Sequence, residues 1–92
     1  MRKKVMEALY RINPKITEHT DEDLIEAGFI DSFEIVNLVV ELEDIFCMDI
    51  DPEEILPDNF QTVNAIINLM ERLSERNSRR AGAINENTGN IR

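Results

Sequence analysis

At 92 residues, with nineteen Asp and Glu against ten Lys and Arg, the chain is one small domain of formal net charge −9. That acidity argues against a nucleic-acid binder, and a single cysteine with a single histidine rules out an internal disulfide and a zinc cluster. A hydrophobic content of 42% suffices for a core, but a domain this size buries only about 60–65% of its unfolded surface, which leaves little depth for an enzymatic cleft.

No apolar run is long enough for a transmembrane span or a signal-peptide core. The start, Met1-Arg2-Lys3-Lys4, is basic, but Glu7 and Arg11 stand where an apolar region would follow. A cytoplasmic location in a reducing compartment is expected. The charge is organised by position. Residues 1–15 hold five basic residues and residues 72–92 the other five, while Ile16 to Glu71 carries sixteen acids and no base. Such crowding repels itself in a compact state, and it suits either steering of a basic partner or a plain soluble surface.

Helical periodicity appears three times. Val5, Ala8, Leu9 and Ile12 mark a first helix that Asn13-Pro14 stops. A long acidic loop, Asn13 to Asp31, follows. The second helix runs from Ser32 to about Phe46. Pro52 then suits the first turn of a short helix, which Pro57 ends. The third helix runs from about Thr62 to at least Leu73, with Val63, Ile66, Ile67, Met70 and Leu73 on one face. No stretch alternates as a strand. Residues 74–92 are polar and nearly unpatterned, a frayed helix end and a disordered tail. The expected division is a folded domain 1–76 and a polar tail 77–92. Arg72, Arg76, Arg79 and Arg80 share a face if the third helix continues, and a solvated terminus is favoured over one folded back on the acidic surface.

The second helix has an unusual wheel. With Phe33 at zero, Ile45, Leu38, Leu42, Ile35, Phe46 and Val39 span about 120° to 240°, an ordinary core stripe. Asp44, Asn37, Glu41 and Glu34 fill about 20° to 100°. Phe33, Val36 and Val40 fall at about 300° to 360°, with Glu43 alone between them and the core. Either a loop covers this second stripe, or it is an exposed apolar strip edged by carboxylates and shaped for docking. So few elements cannot easily cover two faces, which favours docking.

At the helix entry, Gly28-Phe29-Ile30-Asp31-Ser32-Phe33, Asp31 and Glu34 have capping-box spacing, so Asp31 caps the helix and Ser32 sits in its first turn. A phosphate ester on that hydroxyl would be favoured by the helix N-terminal field. An Asp-Ser pair alone has almost no specificity. The surrounding stretch has much more. Residues 23–46, with Leu24, Gly28, Asp31-Ser32-Phe33, then Leu38, Leu42 and Phe46, together with Ile50, the Pro52-Glu53-Glu54 turn and the Phe60-x-Thr62-Val63 entry, resemble the acyl carrier protein family over about residues 3–73.

The resemblance implies an all-α, acyl-carrier-like four-helix bundle of three longer helices and one short one. It implies a monomeric carrier, not an enzyme. Ser32 becomes the attachment point of 4′-phosphopantetheine, placed there from coenzyme A by a phosphopantetheinyl transferase, with Asp31 as the flanking motif residue. The thiol-ended arm would carry acyl or aminoacyl groups as thioesters to ligases, acyltransferases or synthases of fatty acid, polyketide or nonribosomal peptide pathways. Phe33, Val36 and Val40 become apolar partner contacts, and Glu34, Glu41, Glu43, Asp44 and Asp31 the charged ones. Asn37 stands where many fatty-acid carriers have an acid, which argues against use by the general fatty-acid synthases, while the Gly28-x-x-Asp31-Ser32-Phe33 form and the long Ile55–Phe60 linker look more like a discrete D-alanyl, aminoacyl or polyketide-type carrier. The alternative is an unmodified interaction module of the same fold. A hydrolase finds no base, nucleophile and oxyanion group in this sequence.

Cys47 is expected to pack as a small apolar residue, and His19 to be solvated. Asp49-x-Asp51-x-Glu53 has part of a calcium-loop spacing, but Glu54 occupies the glycine position and Phe60 the twelfth. Leu42, Phe46, Ile50 and Ile66 could line an acyl-binding gap or simply fill the core.

Overall fold

Three α-helices carry the fold: α1 Arg2–Ile12, α2 Ser32–Phe46 and α3 Val63–Asn85. The computed structural model describes the backbone of residues 1–85 and the side chains of residues 1–76. Two 3-10 turns, Pro52–Glu54 and Pro57–Phe60, lie between α2 and α3. No strand occurs among the described residues.

Helix α1 buries Val5, Met6, Ala8 and Leu9 and ends at Asn13, whose backbone is extended before Pro14. The Asn13 amide donates to the carbonyl of Phe29 at 3.0 Å, which ties the start of the long loop to its end. Ile16, Leu24 and Ile30 anchor that loop in the core. Asp23 Oδ1 accepts from the N–H groups of Ile25 and Glu26, each at 3.0 Å, and winds residues 23–27 into a turn. Gly28, at φ 83°, closes it in a conformation that side chains resist. The N–H groups of Phe29 and Ile30 then return to the Leu24 carbonyl, delivering the chain to Asp31 in extended form.

Ile35, Leu38, Val39 and Leu42 of α2 are buried, as the 120°–240° stripe requires. Val63, Ile66, Ile67, Leu69, Met70 and Leu73 of α3 are buried too. Thr62 caps α3 from outside, its hydroxyl accepting the Ala65 N–H at 3.0 Å. With Phe60 and Ile50 these residues make one cluster, and no polar residue is buried among those described. Burial at about 25 cal/mol per Å² of apolar surface is the dominant stabilising term.

Three expectations are corrected. The single short helix is two 3-10 turns: Pro57 opens the second rather than ending the first, because its fixed φ suits a first helical position. The α-helices therefore number three among the described residues. Helix α3 runs beyond Leu73, as its expected minimum extent allows, and carries its backbone to Asn85. Arg72 and Arg76 are not simply solvated, since each reaches Glu54 at 3.6 Å and clips the first 3-10 turn to α3. The side chains of Arg79 and Arg80, and residues 86–92 of the expected tail, lie outside the described residues. Cys47 is exposed rather than packed: at φ 54°, ψ 46° it takes the left-handed position that ends α2, which turns its side chain outward.

Candidate functional site

The site begins with the capping box. Asp31 Oδ1 accepts from the Glu34 N–H at 2.8 Å, and Glu34 Oε1 accepts from the Asp31 N–H at 3.0 Å. This reciprocal pair fixes the first turn of α2 and uses the polar side chains on either side of Ser32. Ser32 itself is exposed. The N–H groups of Ser32 and Phe33 have no acceptor among the described residues, as the first N–H groups of a helix usually do not. An anionic ester on the Ser32 oxygen would thus stand in water, beside open donors and the positive end of the helix. The residues present fit a phosphodiester at this position.

Along α2 the second stripe is bare. Phe33 is 73% exposed, and Val36 and Val40 are each 56% exposed. No loop among the described residues covers them. Leu56, between the two 3-10 turns, is also exposed. That residue was missed in the sequence, because nothing in its neighbourhood sets a period by which to assign a face.

The acids framing the strip have separate fates. Glu34 is held in the capping box. Glu43 Oε2 accepts the Ile50 N–H at 2.9 Å and stabilises the chain as it leaves α2. Glu41 Oε1 accepts from Arg11 of α1 at 2.8 Å, and the same guanidinium reaches Glu7 at 3.1 Å through its other nitrogen. Arg11 is held further in its charged form, first by the hydrogen bond to Glu41, which outweighs an opposing desolvation, and then by the charges of Glu41, Glu7 and Asp44. Asp44 is the one acid of α2 whose carboxylate makes no hydrogen bond among the described residues. At the far end Lys4 Nζ lies 5.4 Å from the centre of the half-buried Phe46 ring.

The remaining candidates are placed as follows. Leu42, Ile50 and Ile66 belong to the packed core, with Phe46 against it. A cleft of about 290 Å³ near the end of α2 includes Ile50, with Met48, Pro52, Leu73 and Arg76. Asp51 Oδ1 accepts the Glu53 N–H at 2.9 Å, the task of an N-cap. His19 is exposed. No helix among the described residues is long and apolar enough to cross a membrane.

Residues 2–70 match the family described as phosphopantetheine attachment site. The D-alanyl carrier proteins of Streptococcus pyogenes serotype M5 (strain Manfredo), serotype M49 (strain NZ131) and serotype M1 are each 40% identical to the chain over 58 residues, 63% of this chain and 73% of theirs. No solved structure is significantly similar.

Proposed function

Since the chain belongs to the phosphopantetheine attachment-site family, whose carriers use a covalently attached 4′-phosphopantetheine, we propose that Ser32 is where this carrier is modified and that its folded unit, residues 1–76, presents acyl or aminoacyl groups to partner enzymes in the cytoplasm. The attached group supplies a terminal thiol able to hold such a cargo. The chain's own residues do the rest. Asp31 and Glu34 set the first turn so that the Ser32 oxygen faces water, within reach of a transferase. Phe33, Val36 and Val40 offer limited apolar contact, enough to dock and little enough to release. Asp31, Glu34 and Asp44 steer basic partner surfaces from a distance. No residue of the chain makes or breaks the cargo bond; the fold acts by raising the cargo's local concentration at each partner.

The observation that carries this reading is an exposed serine in the first turn of α2, enclosed by a complete capping box. Asn37 in the acidic face and the D-alanyl carrier relatives favour a discrete carrier of an aminoacyl cargo. Incubation with coenzyme A and a broad-specificity phosphopantetheinyl transferase tests it. The intact mass should rise by one phosphopantetheine, and Ser32→Ala should abolish the rise. A folded wild-type chain that gains nothing would point instead to an unmodified interaction module.

A further inference from the structure

We infer that Arg11 is a specificity-determining residue of the α2 docking face, neutralising Glu41 so that the face accepts partners with two separated cations and disfavours those with a continuous basic row. The inference rests on the docking role of α2 proposed above. On the α2 wheel Asp44, Asn37, Glu41 and Glu34 form one flank of the exposed strip. Four acidic positions there would make an unbroken negative row. In the fold, Asn37 is uncharged and Glu41 is hydrogen-bonded to Arg11 at 2.8 Å. The guanidinium side chain remains 48% exposed and the Glu41 side chain 32%, so an approaching partner meets at mid-helix a carboxylate already paired with a cation, one that Glu7 of α1 shares at 3.1 Å. Negative charge persists at the two ends, Asp31 with Glu34 at the entry and Asp44 near the exit. Glu34 and Asp44 are ten residues apart, about 15 Å along the helix.

The matching partner is a protein surface with an apolar pocket for Phe33, Val36 and Val40 and a Lys or Arg on either side at about that spacing. A cation reaching for Glu41 finds that carboxylate already occupied by Arg11 and gains less than it would from a free acid. Exposed ion pairs of this kind add little to stability, so the charge can be changed while the helices stay packed. Arg11 also reaches Glu7 on its own helix, which holds the guanidinium in place when α2 is approached.

The test uses the full chain and a synthetic amphipathic peptide of leucines with a continuous lysine row, titrated while α2 amide shifts are followed. Arg11→Gln should tighten binding about three- to tenfold at low ionic strength, and the gain should vanish at about 0.5 M salt. Lys15→Gln removes the same charge elsewhere and should change binding by less than about twofold. Adding Glu41→Gln to Arg11→Gln should restore wild-type affinity, and Arg11→Lys should retain it. Equal effects of Arg11→Gln and Lys15→Gln, or no tightening in a folded Arg11→Gln variant, would overturn the inference. If Arg11→Gln proves unfolded, a Glu41→Gln chain that binds the peptide as tightly as wild type would overturn it instead. A wild-type chain that gains no mass with coenzyme A overturns the modification at Ser32 and leaves this titration readable.

Discussion

Asp31 and Glu34 exchange hydrogen bonds across the start of α2, the Asp31 carboxylate taking the Glu34 N–H at 2.8 Å while the Glu34 carboxylate takes the Asp31 N–H at 3.0 Å. Ser32 lies inside this loop of contacts without contributing a side-chain bond to it. The cap therefore fixes the serine backbone while leaving its oxygen to solvent. Structure and availability for modification are supplied by different residues, and each can be changed separately.

Asp31→Ala should lower stability by about 1 kcal/mol, the usual value of an N-cap. In a domain of this size that is a fall of about 4–8 °C in Tm. Glu34→Ala should cost less, and the pair should be non-additive because the two bonds close one motif. Thermal melts followed by circular dichroism measure both. An unchanged Asp31→Ala melt would contradict the cap.

Two phenylalanines give the sharpest contrast between core and surface. Phe60 is fully buried and Phe33 is 73% exposed. Phe60→Ala should cost about 3–5 kcal/mol, much of the total stability of a small domain. Phe33→Ala should stay within about 0.5 kcal/mol of wild type in urea unfolding while slowing transfer to Ser32. Comparable losses at the two sites would mean that the strip is covered in solution.

Cys47 holds φ 54° and ψ 46° at the end of α2. A β-carbon in that conformation costs about 1–2 kcal/mol, against which glycine is more flexible in the unfolded chain. Cys47→Gly should therefore raise Tm by a few degrees, with a net gain of about 0.5–1 kcal/mol. A lower Tm would show that the cysteine makes contacts worth more than its backbone strain.

Sixteen acids without a base between Ile16 and Glu71 meet few cations among the described residues: Arg11 at Glu41, and Arg72 and Arg76 at Glu54. Added salt or magnesium should raise Tm by screening the remainder. Melts at about 10 mM and 150 mM sodium chloride, with and without magnesium, should differ by several degrees. Identical curves would mean that the repulsion is negligible.

The bounds of α2, its cap and its bare strip were legible because each depends on residues close in sequence: Asp31 with Glu34, and Phe33, Val36 and Val40 at helical spacing. The fates of the acids were not. Glu41 finds Arg11 thirty residues away, and Glu43 finds the Ile50 N–H only after the chain turns at Cys47. Periodicity does not report such tertiary contacts. The same limit explains Cys47, whose exposure follows from a left-handed turn rather than from its polarity. The run beyond Leu73 lacks an apolar stripe, so its helical backbone to Asn85 left no period to read.

Modification of Ser32 is the claim on which the rest depends, and trypsin isolates it. With no Lys or Arg between Ile16 and Glu71, digestion should release residues 16–72 as one peptide, in which Ser32 is the sole serine beside Thr17, Thr20 and Thr62. After reaction with coenzyme A and a transferase, fragmentation of that peptide should place a single phosphopantetheine on Ser32. A chain left unmodified, or an adduct on a threonine or outside residues 16–72, would contradict it.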